Sequence, residues 1–247
     1  MSNRHTVWNI AHRGASGHAP ENTLAAYRLA VEMGAKFIET DLQATRDAWI
    51  VAMHDPTVDR TTDGRGHISK MKLAEVRALD AGGWFDGANG RSFAGENVPM
   101  LEEILSFAHE ADVSFYLELK TRESWMMERS LAGALATSGE IARATVISFD
   151  PAVLLSLRRI EPMAMTGLIV ERAGLDSIQH AVSVGARQLL VGMNKIHPEL
   201  VLAARRADLK LVAWTANEPE EMRALIASGV DGIISDFPDR LAKLLAE

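Results

Sequence analysis

The chain contains no cysteine among its 247 residues. Without thiols it can form no disulfide framework, no thiolate zinc site and no iron–sulfur cluster, and it has no cysteine nucleophile. The absence fits a reducing compartment. Whatever chemistry the chain performs must come from other side chains.

Long hydrophobic runs and basic clusters are missing as well. The apolar stretch at 7–11 is far shorter than a signal-peptide core or a membrane span, and no other stretch approaches about 18 continuous apolar residues. We therefore expect a cytoplasmic protein without stable membrane association. With 26 basic and 33 acidic residues the net charge is −7, and no basic patch stands out, so nucleic acid is not expected as a partner.

The composition is that of a globular protein. Hydrophobic residues make up 47% and charged residues 24%, which excludes a mostly disordered chain. The length lies between one and two average domains of about 150 residues, but barrels of alternating strands and helices often form one domain of about 250 residues.

Short apolar runs alternate with amphipathic helical stretches along the chain. Such alternation predicts a parallel sheet covered on both faces. Eight repeats in about 250 residues favour a closed (β/α)8 barrel. A doubly wound open sheet is the alternative, weakened because no G-x-G-x-x-G follows the first strand. The predicted main strands are centred on Val7, Phe37, Phe115, Val146, Gly167, Leu189, Leu211 and Gly232.

The alternation lapses between about 43 and 98. A short strand at 49–55 and a turn-rich stretch at 59–70 precede a predicted short helix at 72–83, and the residues after it are rich in glycine and asparagine. Because the apolar content is thin, we interpret this segment as an excursion on the barrel rim rather than a separate core.

Charged side chains replace hydrophobic ones at the ends of two predicted strands. Glu39 and Asp41 share one face of their strand, and Glu118 and Lys120 share one face of theirs, because side chains alternate. The carboxyl ends of barrel strands meet at one mouth, so the three carboxylates should converge there. Bare carboxylates repel one another, and a hard dication such as Mg²⁺ or Ca²⁺ would resolve this and could hold a phosphate.

Further polar residues follow other strands. His12 and Arg13 follow the first, His54 follows the extra strand, and Trp214 ends the seventh. Two histidines near a phosphate could serve as general acid and general base. Each feature also has an ordinary interpretation, such as a solvated strand edge, a structural ion pair or, for Trp214, core packing. Their coincidence at strand ends favours a site.

Nine segments together resemble the glycerophosphodiester phosphodiesterases. They follow the family's order over nearly the whole chain, and the combination is far more specific than any one motif. The segments are 11–27 (AHRGASGHAPENTLAAY), 36–47 (KFIETDLQATRD), 53–66 (MHDPTVDRTTDGRG), 80–85 (DAGGWF), 98–105 (VPMLEEIL), 116–120 (YLELK), 146–150 (VISFD), 213–217 (AWTAN) and 231–238 (DGIISDFP).

The resemblance implies one (β/α)8 barrel domain over 1–247, with a small inserted subdomain at about 43–98 after the second strand. It implies hydrolysis of a glycerophosphodiester to sn-glycerol 3-phosphate and an alcohol such as choline or ethanolamine. It also implies roles for eight residues. A divalent cation would lie on Glu39, Asp41 and Glu118, the acid/base pair would be His12 and His54, Arg13 and Lys120 would contact the phosphate, and Trp214 would face the glycerol.

Several alternatives stay open at this point. The attacking oxygen is water or the substrate's own glycerol hydroxyl; we place His12 nearer that oxygen and His54 nearer the leaving group. A cyclising phospholipase-like lyase is a related hypothesis, weakened by the lack of an obvious membrane-binding segment. A non-catalytic binding barrel is the other. Nothing in the sequence selects the head group or the metal, and a homo-oligomer is left open.

Overall fold

Eight parallel strands close into a barrel in the computed structural model, which describes residues 6–86, 91–120 and 126–247. Each strand pairs with the next along the ring, and the first strand closes it by pairing with both the second and the last. The predicted (β/α)8 barrel is confirmed. The ring strands are β1 (Trp8–Ala11), β2 (Phe37–Ala44), β4 (Ser114–Leu119), β5 (Ala144–Ser148), β6 (Met165–Val170), β7 (Gln188–Gly192), β8 (Lys210–Trp214) and β9 (Gly232–Ser235).

Helices follow the ring strands, and some of them begin at a side-chain cap. Thr23 starts the first of them by accepting a hydrogen bond from the Ala26 backbone, and Asp150 caps another in the same way. Among the described helices, none combines the length and the apolar character that crossing a bilayer requires. The helices are α1 (Leu24–Glu32), α2 (Leu73–Arg77), α3 (Leu101–Ala111), α4 (Met126–Ser138), α5 (Pro151–Ile160), α6 (Leu175–Ser183), α7 (Pro198–Arg206), α8 (Pro219–Ser228) and α9 (Pro238–Ala246).

Apolar side chains fill the barrel below its mouth. The larger hydrophobic clusters lie between the sheet and the helices, where the outward-facing residues of β2 and β4 pack. Because the interior is packed, charged side chains can collect only where the strands end. The interior cluster consists of Ile10, Tyr116, Ile147, Ile169, Leu190, Val212 and Ile234.

The segment after β2 forms an outer layer on the rim. Strand β3 (Ile50–Ala52) pairs antiparallel with the end of β2, outside the ring. The segment has a small hydrophobic cluster of its own around Val58, Ile68 and Val76, which its thin apolar content did not lead us to expect. The division of the chain into one domain with an inserted subdomain stays a prediction.

The helix predicted at 72–83 was too long, since α2 ends at Arg77. The chain turns because the Asp80 carboxylate accepts hydrogen bonds from the backbone amides of Gly82 and Gly83. An aspartate side chain that accepts hydrogen bonds from amides following it in the chain stabilises a turn and cannot continue the helix that precedes it. Residues 87–90, within the predicted irregular stretch, lie outside the described residues.

Candidate active site

Three buried carboxylates meet inside the barrel mouth. Glu39 and Asp41 project inward from β2, and Glu118 projects from β4, where it lies opposite Asp41 in the strand register. One oxygen from each of the three lies within 4.8 Å of the others. The structure thus brings together the residues that strand alternation placed on one face. Their role as metal ligands stays a prediction.

Two cations neutralise part of this cluster. Lys120 Nζ lies 2.8 Å from an oxygen of Asp41 and 2.8 Å from one of Glu118, and Arg13 Nε lies 3.1 Å from Asp41. Burial disfavours the charge on Asp41, but Lys120 and Arg13 hold the pKa of its carboxyl below the usual value. Burial, together with neighbouring Asp41, raises the pKa of Glu39 to about 8.

The cluster has the chemistry of a divalent-cation site. Glu39 Oε1 is buried, and it accepts no hydrogen bond from the residues that the structure describes. A buried carboxylate oxygen without a donor is costly unless something positive binds it. Carboxylate oxygens are the ligands that Mg²⁺ and Ca²⁺ prefer. The three carboxylates therefore fit a hard dication.

His12 lies beside this cluster at the end of β1. Its Nδ1 is 2.6 Å from Oδ1 of Asp236, and its Nε2 is 3.9 Å from Oε2 of Glu39. Burial lowers the pKa of His12, but the hydrogen bond to Asp236 and the charge of Glu39 outweigh burial and raise it. The imidazole is held between an outer carboxylate and the candidate metal cluster.

His54 approaches from the rim, just after β3. The backbone amide of Met53 donates to the carbonyl of Asp41, which anchors the end of β3 at the mouth. His54 Nδ1 lies 2.6 Å from Oδ1 of Asp55. Burial, more than any other influence, lowers the pKa of this histidine. Both histidines thus have Nδ1 against a carboxylate.

One cavity joins these groups, and its two walls differ. Of the eight predicted site residues, all except Asp41 line it. Trp214 stands on the apolar wall, with its ring 5.8 Å from that of Phe149 in an edge-to-face arrangement. The polar wall consists of His12, Arg13, Glu39, His54, Glu118, Lys120 and Thr215, and the apolar wall of Ile147, Phe149, Ile169, Leu190, Trp214 and Ile234.

Sequence reasoning missed an ion-pair chain behind the polar wall. Arg13 Nη1 lies 2.8 Å from Glu21, and Arg60 bridges Glu21 to Asp55, the partner of His54. The guanidinium predicted to contact phosphate is therefore also held by Glu21. A carboxylate just before a helix resembles an ordinary helix start, so the sequence around Glu21 gave no separate signal.

Asn22 is a second residue that sequence reasoning missed, because it stands just before a helix and resembles an ordinary helix start. The helix begins after Thr23, and Asn22 instead donates from Nδ2 to Oδ2 of Asp41 at 2.8 Å. Its Oδ1 accepts from the Thr40 hydroxyl and the Asp41 backbone amide. Asn22 therefore orients a carboxylate of the cluster.

The fold and the cavity define a class. A (β/α)8 barrel that carries three buried carboxylates, two cations and two carboxylate-paired histidines at the carboxyl ends of its strands has the parts of a hydrolase that acts on an anionic ester.

Comparison with known proteins identifies the family. The sequence model of the glycerophosphoryl diester phosphodiesterase family matches residues 12–240. A glycerophosphodiester phosphodiesterase from Caldanaerobacter subterraneus subsp. tengcongensis is 36% identical over 238 residues, which cover 96% of this chain and 96% of that protein. The chain belongs to the glycerophosphoryl diester phosphodiesterase family, and it is a phosphoric diester hydrolase.

Solved structures agree with this assignment. A glycerophosphodiester phosphodiesterase from Agrobacterium tumefaciens superposes with a TM-score of 0.85 at 30% identity, covering 96% of this chain and 99% of that chain. A phosphodiesterase from Oleispira antarctica, solved in complex with the product sn-glycerol-3-phosphate, superposes with a TM-score of 0.86 at 30% identity and covers 96% of each chain.

Proposed function

We propose that this protein hydrolyses glycerophosphodiesters, such as glycerophosphocholine or glycerophosphoethanolamine, to sn-glycerol 3-phosphate and an alcohol. A divalent cation, Mg²⁺ or Ca²⁺, would assist, and His12 and His54 would exchange the protons. The observation that carries the proposal is the single cavity that both histidines share with the carboxylate cluster. The product bound to the related Oleispira antarctica enzyme supports this substrate class.

Glu39, Asp41 and Glu118 would hold the cation. When bound, the cation would draw charge from a phosphoryl oxygen as a Lewis acid. The pairing of β2 with β4 would keep these ligands in place, and the hydrogen bond from Asn22 would do the same for Asp41. Fixed ligands need no reorganisation when the phosphate arrives.

Arg13 and Lys120 would stabilise the negative charge on the phosphoryl oxygens. Both line the cavity, and both are about one-sixth exposed, with a side-chain exposure of 17% each. A guanidinium and an ammonium carry five and three donors, so each retains donors for a phosphate beside its carboxylate contacts. Charge that builds in the transition state meets donors already in place.

His12 and His54 would move the protons through Nε2. In both rings Nδ1 is paired with a carboxylate at 2.6 Å, which leaves Nε2 as the atom available to the substrate. One ring takes the proton of the attacking oxygen, and the other gives a proton to the departing alcohol oxygen. Trp214, on the apolar wall, would contact the carbon skeleton of the glycerol.

Glycerol 3-phosphate release provides the test. The purified protein with Mg²⁺ or Ca²⁺ should release glycerol 3-phosphate from glycerophosphocholine, EDTA should stop the release, and added metal should restore it. Undiminished release after metal removal would contradict the carboxylate site. A panel of glycerophosphodiesters assayed side by side identifies the preferred alcohol.

The same assay followed by ³¹P NMR separates the two routes of attack. Direct attack by water gives glycerol 3-phosphate without an intermediate, whereas attack by the substrate's own hydroxyl passes through a cyclic phosphate. A stable cyclic phosphate as the sole product would favour the cyclising lyase over the hydrolase.

A further inference from the structure

Asp236 stands beside His12 because of the strand register. Strands β1 and β9 are parallel, with Ala11 opposite Ser235, so the residues that follow emerge side by side at the barrel mouth. The backbone amide of His12 donates to the carbonyl of Ser235 at 2.9 Å, which fixes the spacing between the ends of these two strands. The 2.6 Å contact between His12 Nδ1 and Asp236 Oδ1 thus rests on the closure of the barrel.

Both oxygens of Asp236 are held by other donors as well. The Ser16 hydroxyl donates to Oδ1 at 2.9 Å, and Asn217 Nδ2 donates to Oδ2 at 2.6 Å. The backbone amide of Asp236 donates in turn to Oδ1 of Asn217. Burial opposes the charge on Asp236, but the hydrogen bonds from His12, Asn217 and Ser16 lower its pKa to about 2. The side chain is an anchored carboxylate, which can only accept hydrogen bonds.

An acceptor fixed at Nδ1 determines where the neutral ring of His12 carries its proton. The proton must lie on Nδ1 to bond Asp236, so Nε2 is left with a free lone pair. Nε2 is the nitrogen on the cavity side, 3.9 Å from Glu39. Without the carboxylate, the ring could carry the proton on Nε2 and could turn.

We propose that Asp236 is the positioning residue of His12: it selects the tautomer with the proton on Nδ1 and aims Nε2 at the substrate. This inference rests on the proposed acid/base role of His12. Ser16 and Asn217 support it by holding the carboxylate in place.

The structure offers a matched control. His18 pairs with Asp239 at 3.0 Å, but through Nε2, and neither residue lines the cavity. The Asp239 side chain is 42% exposed, compared with 28% for Asp236. Asp239→Asn therefore removes the charge of an aspartate–histidine pair three residues away without altering the proposed pair.

Kinetics and NMR together test the proposal. Asp236→Asn should lower kcat by about 10²-fold or more while KM changes little, because an amide can orient the ring in the wrong tautomer. In nitrogen-15 histidine spectra recorded with the ring neutral, the wild type should carry the His12 proton on Nδ1, and Asp236→Asn should shift it toward Nε2. Asp239→Asn should change neither kcat nor the His12 signal.

Two results would overturn the inference. One is a wild-type spectrum in which the neutral His12 ring carries its proton on Nε2. This measurement does not depend on whether a variant folds. The other is a folded Asp236→Asn variant with wild-type kcat. Failure of the proposed function looks different: His12→Ala would then retain near-normal activity, whatever tautomer the wild-type ring adopts.

Discussion

Glu118 lies directly opposite Asp41 across the paired strands β2 and β4. Like charges that face each other across a ladder are destabilising, and burial adds to the cost. Lys120 offsets it by contacting an oxygen of each carboxylate at 2.8 Å. Even so, burial raises the pKa of Glu118. The strand register therefore holds two carboxylates that repel each other, and a bound dication would reduce this repulsion.

Metal binding should accordingly stabilise the fold. A cation that binds only the native state stabilises it by about 2.7 kcal/mol at a concentration of about 100 times Kd. We expect Mg²⁺ or Ca²⁺ to raise Tm in differential scanning fluorimetry, and Glu118→Gln to remove most of the rise. Glu140, buried outside the cluster, supplies the control: Glu140→Gln should retain the metal-dependent shift. A shift of equal size in Glu118→Gln would argue that the metal binds elsewhere.

Lys120 should affect metal binding and activity in opposite directions. Its ammonium repels a dication but would attract the phosphate, so Lys120→Gln should bind metal more tightly by isothermal titration calorimetry. The kcat of the same variant should fall by about 10²-fold, because removing a fixed donor to the charge that develops in a transition state typically has an effect of this size. Lys72→Gln, at the start of α2, serves as the control and should change neither quantity. Weaker metal binding in Lys120→Gln would mean that the lysine supports the cluster rather than competing with the metal.

The two histidines should each be needed for turnover. His12→Ala and His54→Ala should each lower kcat for glycerophosphocholine by about 10²-fold or more, since each removes one proton transfer. His18→Ala is the matched control because His18 lies near His12 in sequence but does not line the cavity. Circular dichroism establishes that the variants are folded. A near-normal rate in either cavity variant would refute its acid/base role.

Much of the site followed from local sequence rules. Alternation along a strand places Glu39 and Asp41 on one face, and this rule needs only two residues of the same strand. Parallel strands align their carboxyl ends, which adds Glu118 from β4. The closed barrel was predicted from a different pattern, the alternation of eight apolar runs with helical stretches over about 250 residues.

The positioning residues did not follow from such rules, because their contacts join distant parts of the chain. Asp236 meets His12 across 224 residues of sequence, and Arg60 meets Glu21 across 39. Which of the 33 acidic residues meets which cation depends on strand register and loop path, which periodicity does not determine. The early end of α2 has a local cause, the turn at Asp80, that the helical pattern did not reveal.

Asn22 should stabilise both the fold and the metal site. Asn22→Ala would remove the buried hydrogen bonds that Asn22 makes to Thr40 and Asp41, while Tyr27 and Arg13 still contact those two side chains. We expect a cost of about 1–3 kcal/mol in the free energy of unfolding measured in urea. Loss of a residue that orients a ligand typically weakens metal affinity by about 10–100-fold. Asn97→Ala, which removes an exposed hydrogen bond to the Arg77 carbonyl, should do neither. Unchanged metal affinity in Asn22→Ala would show that Asp41 is oriented without it.

The ion pair between Asp55 and Arg60 should appear in the acid stability of the protein. The hydrogen bond from Arg60, supported by His54, lowers the pKa of Asp55 to about 2, whereas an aspartate in an unfolded chain titrates near about 3.9. A depressed native pKa means that the unfolded state binds the proton first as the pH falls. The stabilisation is therefore complete above about pH 4 and is lost between about pH 4 and pH 2. Asp55→Asn should flatten the fall of the free energy of unfolding with pH in this window. Arg60→Gln should flatten it too, because the carboxylate then lacks the partner that keeps it charged. An unchanged slope in both variants would mean that the pair does not form in solution.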